Sequence, residues 1–524
     1  MGGCIPLSAI AGSSLRPYLM VSVHKLHSTK KVAALAFVSF LCLPLLLAMW
    51  RPIPYVIERF TPDDAYYYLN TALNIAAGRG STFDRINPTN GYHPLWMLVL
   101  VPVYKLFDGV ELPLRVVLSI EVLLMLASMW LSFELARQYI PTCLALLSPL
   151  LLYVFVGLAG FYALESHLLI FVSLIAIAFA LSRPHIFEPS KFSVDDIVWG
   201  VFLALIALSR LDAAFVFVSY ACVIIALGVR AGRLSLAKLS SFSAPFALLI
   251  GIYLLWNRFH FGHWMPISGA LKMTIPSIVL IPRHLFIKPV IVRMAISLAA
   301  SVAYVSATLL SKPSSRLRQF HPPLLMLNIY VLLHACYTAF LQDWGVFPWY
   351  FALSLCSASL TLPALISLLG AFNHPKRIAA LVAMCAALVL LAAFNKLALP
   401  SRHVGLRKLY EQAMWLKNNT EPDAICIAED AGIIGYYSQR RVINLDGLIN
   451  SYEYQEYLGQ GRFADYLRLK GVQYFIATRG NPKHGEPFRY EAYSHLYNVV
   501  GGVVELQPEW RLNGAPIPTW KLRR

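Results

Sequence analysis

Two adjacent carboxylates, Asp63 and Asp64, follow Pro62 in the stretch TPDDAYYYLNTALNIAAGRGSTFDRINPTNGYHPLW, which runs from Thr61 to Trp96. Acids at a helix start satisfy free N–H groups and suit the positive end of the helix dipole, so capping is one reading of the pair. Capping needs only one acid, and the stretch is rich in Asn, Gly, Tyr and His. The second reading is chemical. A carboxylate at the water–lipid boundary can take the proton of a hydroxyl as that oxygen attacks a sugar carbon. The neighbouring acid could then bind the acceptor or a divalent cation.

Further charged residues stand beside apolar runs. Arg210 lies two residues from Asp212 between two such runs, and either forms a local ion pair or clamps a phosphate. Lys272, in a connection with His260 and His263, is a second phosphate candidate or a solvated lysine. Glu165, near a helix end, either orients an acceptor or packs against Arg210 or another cation. Glu121, Arg293, His167 and His334 lie in apolar windows and read as interhelical hydrogen-bond partners. Trp344 and Trp349 read as interfacial aromatics, with sugar stacking as the alternative.

The elements that must position these residues are membrane helices. The 524 residues are 58% hydrophobic and 14% charged, against roughly 25% charged in a soluble domain. Apolar runs occupy about 33–50, 94–107, 113–136, 139–156, 161–182, 197–209, 212–229, 241–256, 289–311, 322–341, 348–371 and 377–395. Most approach the roughly 20 residues that cross about 30 Å of hydrocarbon as helix. The net charge of +17 is distributed in short connections, at Lys25, Lys30 and Lys31, at Arg230, Arg233 and Lys238, at Lys312, Arg316 and Arg318, and at Lys376 and Arg377. That is the pattern of cytoplasmic loops, and no aromatic–basic interleaving points to nucleic acid. Cysteines without CxxC spacing indicate neither a zinc site nor a disulfide framework.

With the basic clusters inside, the loop 51–93, the Arg210 connection, 257–288, 342–347 and the chain after 396 fall outside. Residues 93 and 160 are then both outer points separated by three apolar runs, so one run cannot cross. Either 139–156, interrupted by Pro141 and Pro149, or the short 94–107 is that run, leaving about eleven crossings. The expected organisation is a cytoplasmic basic tail (1–32), a polytopic α-helical bundle (33–395) and an extracytoplasmic soluble α/β domain (396–524). Within the last, a helical pattern at 402–417 precedes strand-like pieces at Ala424–Ala428, Arg441–Asn444 and Val472–Ala477. Asp430-Ala-Gly432 and Asn444-Leu-Asp-Gly447 read as turns between strand and helix.

The acidic pair, the run Asn87-Pro-Thr-Asn-Gly-Tyr-His-Pro-Leu-Trp96, and the pieces Gly160-Phe-Tyr-Ala-Leu-Glu165, Leu208-Ser-Arg-Leu-Asp212 and Pro266-Ile-Ser-Gly-Ala-Leu-Lys272 together resemble the GT-C superfamily of polytopic glycosyltransferases. The pattern is similar to bacterial relatives of protein O-mannosyltransferases and to arabinofuranosyltransferases. It covers the chain from about residue 33 to the tail.

The resemblance implies inverting transfer of a sugar from a polyprenyl-phosphate donor to a glycan, lipid or protein acceptor on the outer face of a bacterial inner membrane. Asp63 would be the general base and Asp64 its catalytic neighbour. Arg210 and Lys272 would bind the donor phosphate, and Glu165, Asn90, Tyr92 and His93 the substrate. Membrane lipids are the expected surroundings, and a divalent cation is the candidate cofactor, with its ligands unassigned. Protein O-mannosyltransferases commonly carry Asp-Glu where this chain has Asp-Asp. Competing readings are a secondary transporter, which would place charges near the midplane and show related halves, and a non-catalytic binder of lipid-linked glycans.

Overall fold

The computed structural model describes residues 16–273, 288–310, 320–342, 344–368, 375–400, 404–480 and 482–522. The chain is an integral membrane protein, a helical bundle carrying a small α/β domain at its C-terminal end. Among the described residues, eight helices are long and apolar enough to cross a membrane, from Lys31–Ala48 to Lys376–Ala398. Each of the twelve apolar runs carries helix in its described residues. The first helix begins at Arg16, so the second half of the basic tail continues into the first span.

The three runs between residues 93 and 160 resolve by their contacts. Helix Pro94–Leu106 has 13 residues, about 20 Å at 1.5 Å per residue. At its start the Trp96 indole donates to Ala163 O (3.3 Å). At its end Tyr104 Oη shares a 2.7 Å hydrogen bond with Tyr436 Oη of the C-terminal domain, and Tyr436 Oη also donates to Val110 O. Both ends of this helix therefore lie at the end of the bundle that bears the domain, and it does not cross. The following run does. It is broken at Pro141 and Pro149 into Thr142–Ala145, Leu147–Leu152 and a π turn Tyr153–Gly157, as proline inside a helical run dictates. It arrives back at the domain-bearing end, where Tyr162 N donates to Phe60 O (3.0 Å). Helices Ser166–Leu181 and Val194–Ser209 complete the passes, packed between Glu111–Tyr139 and Leu236–Phe261. Among the described residues the bundle thus has eleven helical passes, eight of them long and apolar enough to cross a membrane.

The C-terminal domain starts with helix Val404–Asn419. Strands β1 (Ile425–Ala428), β2 (Arg441–Asn444), β3 (Tyr474–Ile476) and β6 (Thr519–Lys521) form one sheet in the order β2-β1-β3-β6. The first three are parallel, and β6 runs antiparallel to β3. Short, apolar strands covered on both faces are typical of parallel sheets. Ile427, Ile443, Phe475 and Trp520 fill the core with Tyr454 and Tyr466 from the covering helices. The remaining strands, β4 (Phe488–Ser494) and β5 (Val499–Leu506), form a separate antiparallel hairpin. The two Asp-Gly turns sit at the carboxyl ends of β1 and β2, which face the bundle.

Two glycines let backbone meet backbone at this junction. A Cβ on Gly432 would collide with Asp63 O, and one on Gly91 with Leu448 O. Gly432→Ala and Gly91→Ala should each cost about 1–3 kcal/mol through forced separation of the two parts. Faster proteolytic release of the C-terminal domain in detergent, with the bundle's own melting little changed, would register that cost.

Candidate functional site

Asp63 and Asp64 open helix Asp63–Ala76, whose N-cap is Pro62. Successive helical side chains point about 100° apart, and the two acids part company. Asp63 Oδ1 accepts the N–H of Ile433 (2.7 Å) and Oδ2 that of Gly432 (3.0 Å). It is buried against the C-terminal domain and does not line the cavity at the domain-bearing end. Asp64 does. Among the described residues it is the one acid of that cavity whose carboxylate has no hydrogen bond or ion pair. Burial pushes its pKa up to about 6; Lys272 and Arg479 pull it down, while Asp430 and Glu165 push it further up.

The cavity encloses about 290 Å³ and is lined at one end by Asp64, Tyr67, Tyr68, His93, Glu165, Arg210 and Lys272. Arg210 caps helix Val194–Ser209 in extended conformation, which turns its guanidinium inward. Its Nη1 donates to Glu165 Oε1 (2.7 Å), and Nε and Nη2 donate to Asp212 (2.8 and 2.9 Å). Burial opposes the guanidinium charge, but Asp212 and Glu165 outweigh it and hold the pKa above its ordinary value. Both readings of Glu165 and Arg210 as ion-pair partners are thus realised in one buried triad. Glu165 Oε2 remains buried without a hydrogen-bond partner among the described residues. His334, set aside in the sequence, backs the triad with Nε2 3.5 Å from Asp212 Oδ2. His93 lies 3.8 Å from Glu165, and burial, with Arg210 and Lys272 nearby, lowers its pKa to about 4 against the pull of Glu165. It is neutral, and its Nδ1 accepts Leu211 N–H (3.4 Å).

Lys272 ends the short helix Ile267–Lys272. Its ammonium stands 5.0 Å from the ring centre of Tyr350, and the Arg210 guanidinium 4.4 Å from it. The two cations therefore flank one aromatic ring. Arg210 is balanced by carboxylates, whereas Lys272 has none within ion-pair distance among the described residues.

Two of the predicted substrate-binding residues, Asn90 and Tyr92, are absent from the lining of this cavity. Asn90 Oδ1 accepts Ile267 N–H (3.0 Å) and its Nδ2 donates to Asn257 Oδ1 (3.1 Å), tying the Lys272 helix to helix Leu236–Phe261. Tyr92 Oη bonds Ser81 Oγ (2.7 Å). Neither lines the cavity, because each is consumed by a partner in the loop architecture. Trp349 does line it, whereas Trp344 packs on His495 of the C-terminal domain. Asp343 lies outside the described residues.

Tyr67, Tyr68, Tyr350 and Leu448 are cavity residues that sequence reasoning missed. For the first two, the run Tyr66-Tyr-Tyr68 directly after the acids was the available signal. Tyr67 Oη also receives Asn444 Nδ2 (3.1 Å) and approaches Asp446 Oδ2 (3.4 Å). Burial, with Asp64 and Asp430 close by, raises Asp446 to about 7 despite the Leu448 N–H and Arg479. Among the described residues no group of three or more His, Cys, Asp or Glu side chains is arranged to hold a metal ion.

Away from the charged end the lining turns apolar, through Leu211, Ala214, Phe215, Val218 and Tyr337. Val218 is 42% exposed on the outside of the bundle and lies about 10 Å along the helix from Leu211.

Residues 402–517 match a family model described as a domain of unknown function (DUF8728). No curated protein matches the chain by sequence. Among solved structures, the chain is similar to apo ArnT from Cupriavidus metallidurans, with a TM-score of 0.50, 12% identity, and 86% of this chain and 97% of that one covered. ArnT bound to undecaprenyl phosphate gives 0.47 and 14%, with 86% and 96% covered. The Archaeoglobus fulgidus oligosaccharyltransferase tethered to an acceptor peptide gives 0.46 and 13%, with 85% and 68% covered. At 12% identity the likeness to apo ArnT is one of fold.

The ion-pair arrangement separates the roles of the two cations. Arg210→Ala leaves Glu165 and Asp212 buried without their counter-charge and should cost about 3–5 kcal/mol. Lys272→Ala strands no carboxylate. A thermal-shift comparison in detergent should show a large fall in Tm for the first and little change for the second.

Proposed function

We propose that the chain is a glycosyltransferase that moves a sugar from a polyprenyl-phosphate donor to an acceptor hydroxyl, with inversion, at the extracytoplasmic face of a bacterial inner membrane. The observation that carries the reading is the cavity's composition along its length. An unpaired acid and two cations stand at one end, and an apolar wall leads from them to the lipid-facing side of the bundle. A ligand with an anionic head, a polar sugar and a long hydrocarbon tail matches each part in turn. The exposed Arg230, Arg233, Lys376 and Arg377 at the opposite end support the orientation under the positive-inside rule.

Asp64 is the general base in this reading, in place of Asp63, whose two oxygens hold the Gly432 and Ile433 N–H groups. The acceptor hydroxyl oxygen attacks the anomeric carbon while Asp64 takes its proton. The bond from that carbon to the phosphate oxygen breaks, and polyprenyl phosphate leaves with the electron pair. A single displacement inverts the anomeric centre. Lys272, without a carboxylate in ion-pair distance among the described residues, meets the charge developing on the leaving phosphate, with the remaining N–H groups of Arg210 beside it. Glu165 Oε2 is placed to accept a sugar hydroxyl, and neutral His93 borders the same volume. Tyr67 and Tyr68 supply aromatic surface for the acceptor side.

A base whose pKa is about 6 works only when ionised. The rate should therefore be flat above that pH and fall about tenfold per unit well below it. Membranes given radiolabelled polyprenyl-phosphate sugars test the assignment. Asp64→Asn should lower transfer by about 10²–10⁴-fold with the chain still folded. Asp63→Asn should loosen the C-terminal domain and leave measurable transfer. The opposite ranking, or transfer from nucleotide sugars alone, contradicts the reading.

A further inference from the structure

The β4–β5 hairpin has one covered face and one open face. Ala492, Ser494, Gly501 and Leu506 are buried, toward helices Tyr452–Gly459 and Phe463–Leu469, both of which pack on β5. The open face changes chemistry along its length. In register, Arg489 stands opposite Glu505, then Glu491 opposite Val503, then Tyr493 opposite Val500, and Tyr497 lies in the turn beyond. At about 3.4 Å per residue, charge gives way to aromatic and branched side chains over about 14 Å. Tyr493, Tyr497, Val499, Val500 and Val503 are 38–50% exposed.

The apolar end is the end nearest the membrane spans. The His495 ring lies 4.5 Å from Trp344, in the connection between spans His321–Phe340 and Pro348–Leu368. Leu496 packs beside Trp344 against Ile267, Leu271 and Leu448. At the end of another span, Leu236–Phe261, Phe259 and Trp264 are exposed at 80% and 53%. The loop carrying Trp264 joins the same neighbourhood, since Tyr452 Oη donates to Met265 O (2.8 Å) and Tyr497 packs on Gly459. A face turned wholly to water has no reason to lose its charges only where it approaches the spans. Tyrosine, apolar in body and polar at its tip, is suited to the headgroup layer.

We propose that the turn end of the β4–β5 hairpin inserts into the headgroup region of the surrounding bilayer and anchors the C-terminal domain to it. Arg489 and Glu505 stay in water, while Tyr493, Tyr497 and Val500 enter the interface. The anchor is continuous with the aromatic residues at the span ends. Through Leu496 and Leu448 it fixes the height of the cavity wall that the domain supplies.

The test uses the full chain in nanodiscs, its accessible cysteines replaced by alanine, with bimane attached at Tyr497→Cys or, as control, Arg489→Cys. Val500→Cys repeats the measurement at a strand position, where a label leaves the turn undisturbed. Nitroxide lipids should quench the labels at 497 and 500 at least about fivefold more than the label at 489, with aqueous iodide showing the reverse order. Equal iodide quenching at all three positions with no lipid quenching would place the face in water and overturn the proposal. Protection that appears only with two chains per disc would assign the face to a second copy, and overturn it equally.

Discussion

The carboxylate of Asp63 receives two main-chain N–H groups from Gly432 and Ile433 across the seam between the bundle and the C-terminal domain. These are orphan donors of a helix start, where a negative charge is favoured by the dipole. The contact is close because Gly432 has no side chain to hold the two backbones apart. It fixes the rotation of helix Asp63–Ala76 about its axis, and that rotation decides what its next residue faces. Asp64 points into the cavity because Asp63 is tied outside it. The adjacent acids are therefore two different objects, one a fastening and one a cavity carboxylate without a hydrogen bond or ion pair among the described residues.

The charges within the cavity are arranged on the same economy. Arg210, Glu165 and Asp212 neutralise one another in a desolvated triad, which is costly to break and rigid while intact. Lys272 stands outside the triad, against the same Tyr350 ring that Arg210 meets. A pocket whose every charge was paired would have nothing left for an anionic ligand. One whose charges were all unpaired would not fold dry. Separating a balanced cation from an unbalanced one satisfies both demands.

Much of this was legible in the sequence because it is local. Apolar runs became helices, Asp-Gly turns fell at strand ends, and the requirement for an even number of passes showed that one run does not cross, leaving 94–107 and 139–156 as the two candidates. Arg210, Glu165, Lys272 and His93 share a cavity because charged residues beside spans have few places to go. What was not legible depends on partners far along the chain. Asn90 is spent on Asn257 and Ile267, 167 and 177 residues away, and Asp63 on residues 369 and 370 away. No local pattern distinguishes a carboxylate that will meet a distant N–H from one that will meet solvent. The β4–β5 hairpin escaped for another reason. Its paired glycines, Gly501 and Gly502, dilute the alternation that marks a strand.

The helix Pro94–Leu106 also has a history to account for. It is apolar, it leaves the translation machinery early, and the hydroxyl that holds its far end, on Tyr436, is made 332 residues later. The partners of Asp63 arrive later still in relative terms. The first loop of the chain thus cannot reach its final arrangement until the last domain has been synthesised and folded onto it. A chain interrupted before the C-terminal domain lacks the Leu448 part of the cavity wall and the two N–H groups that hold Asp63.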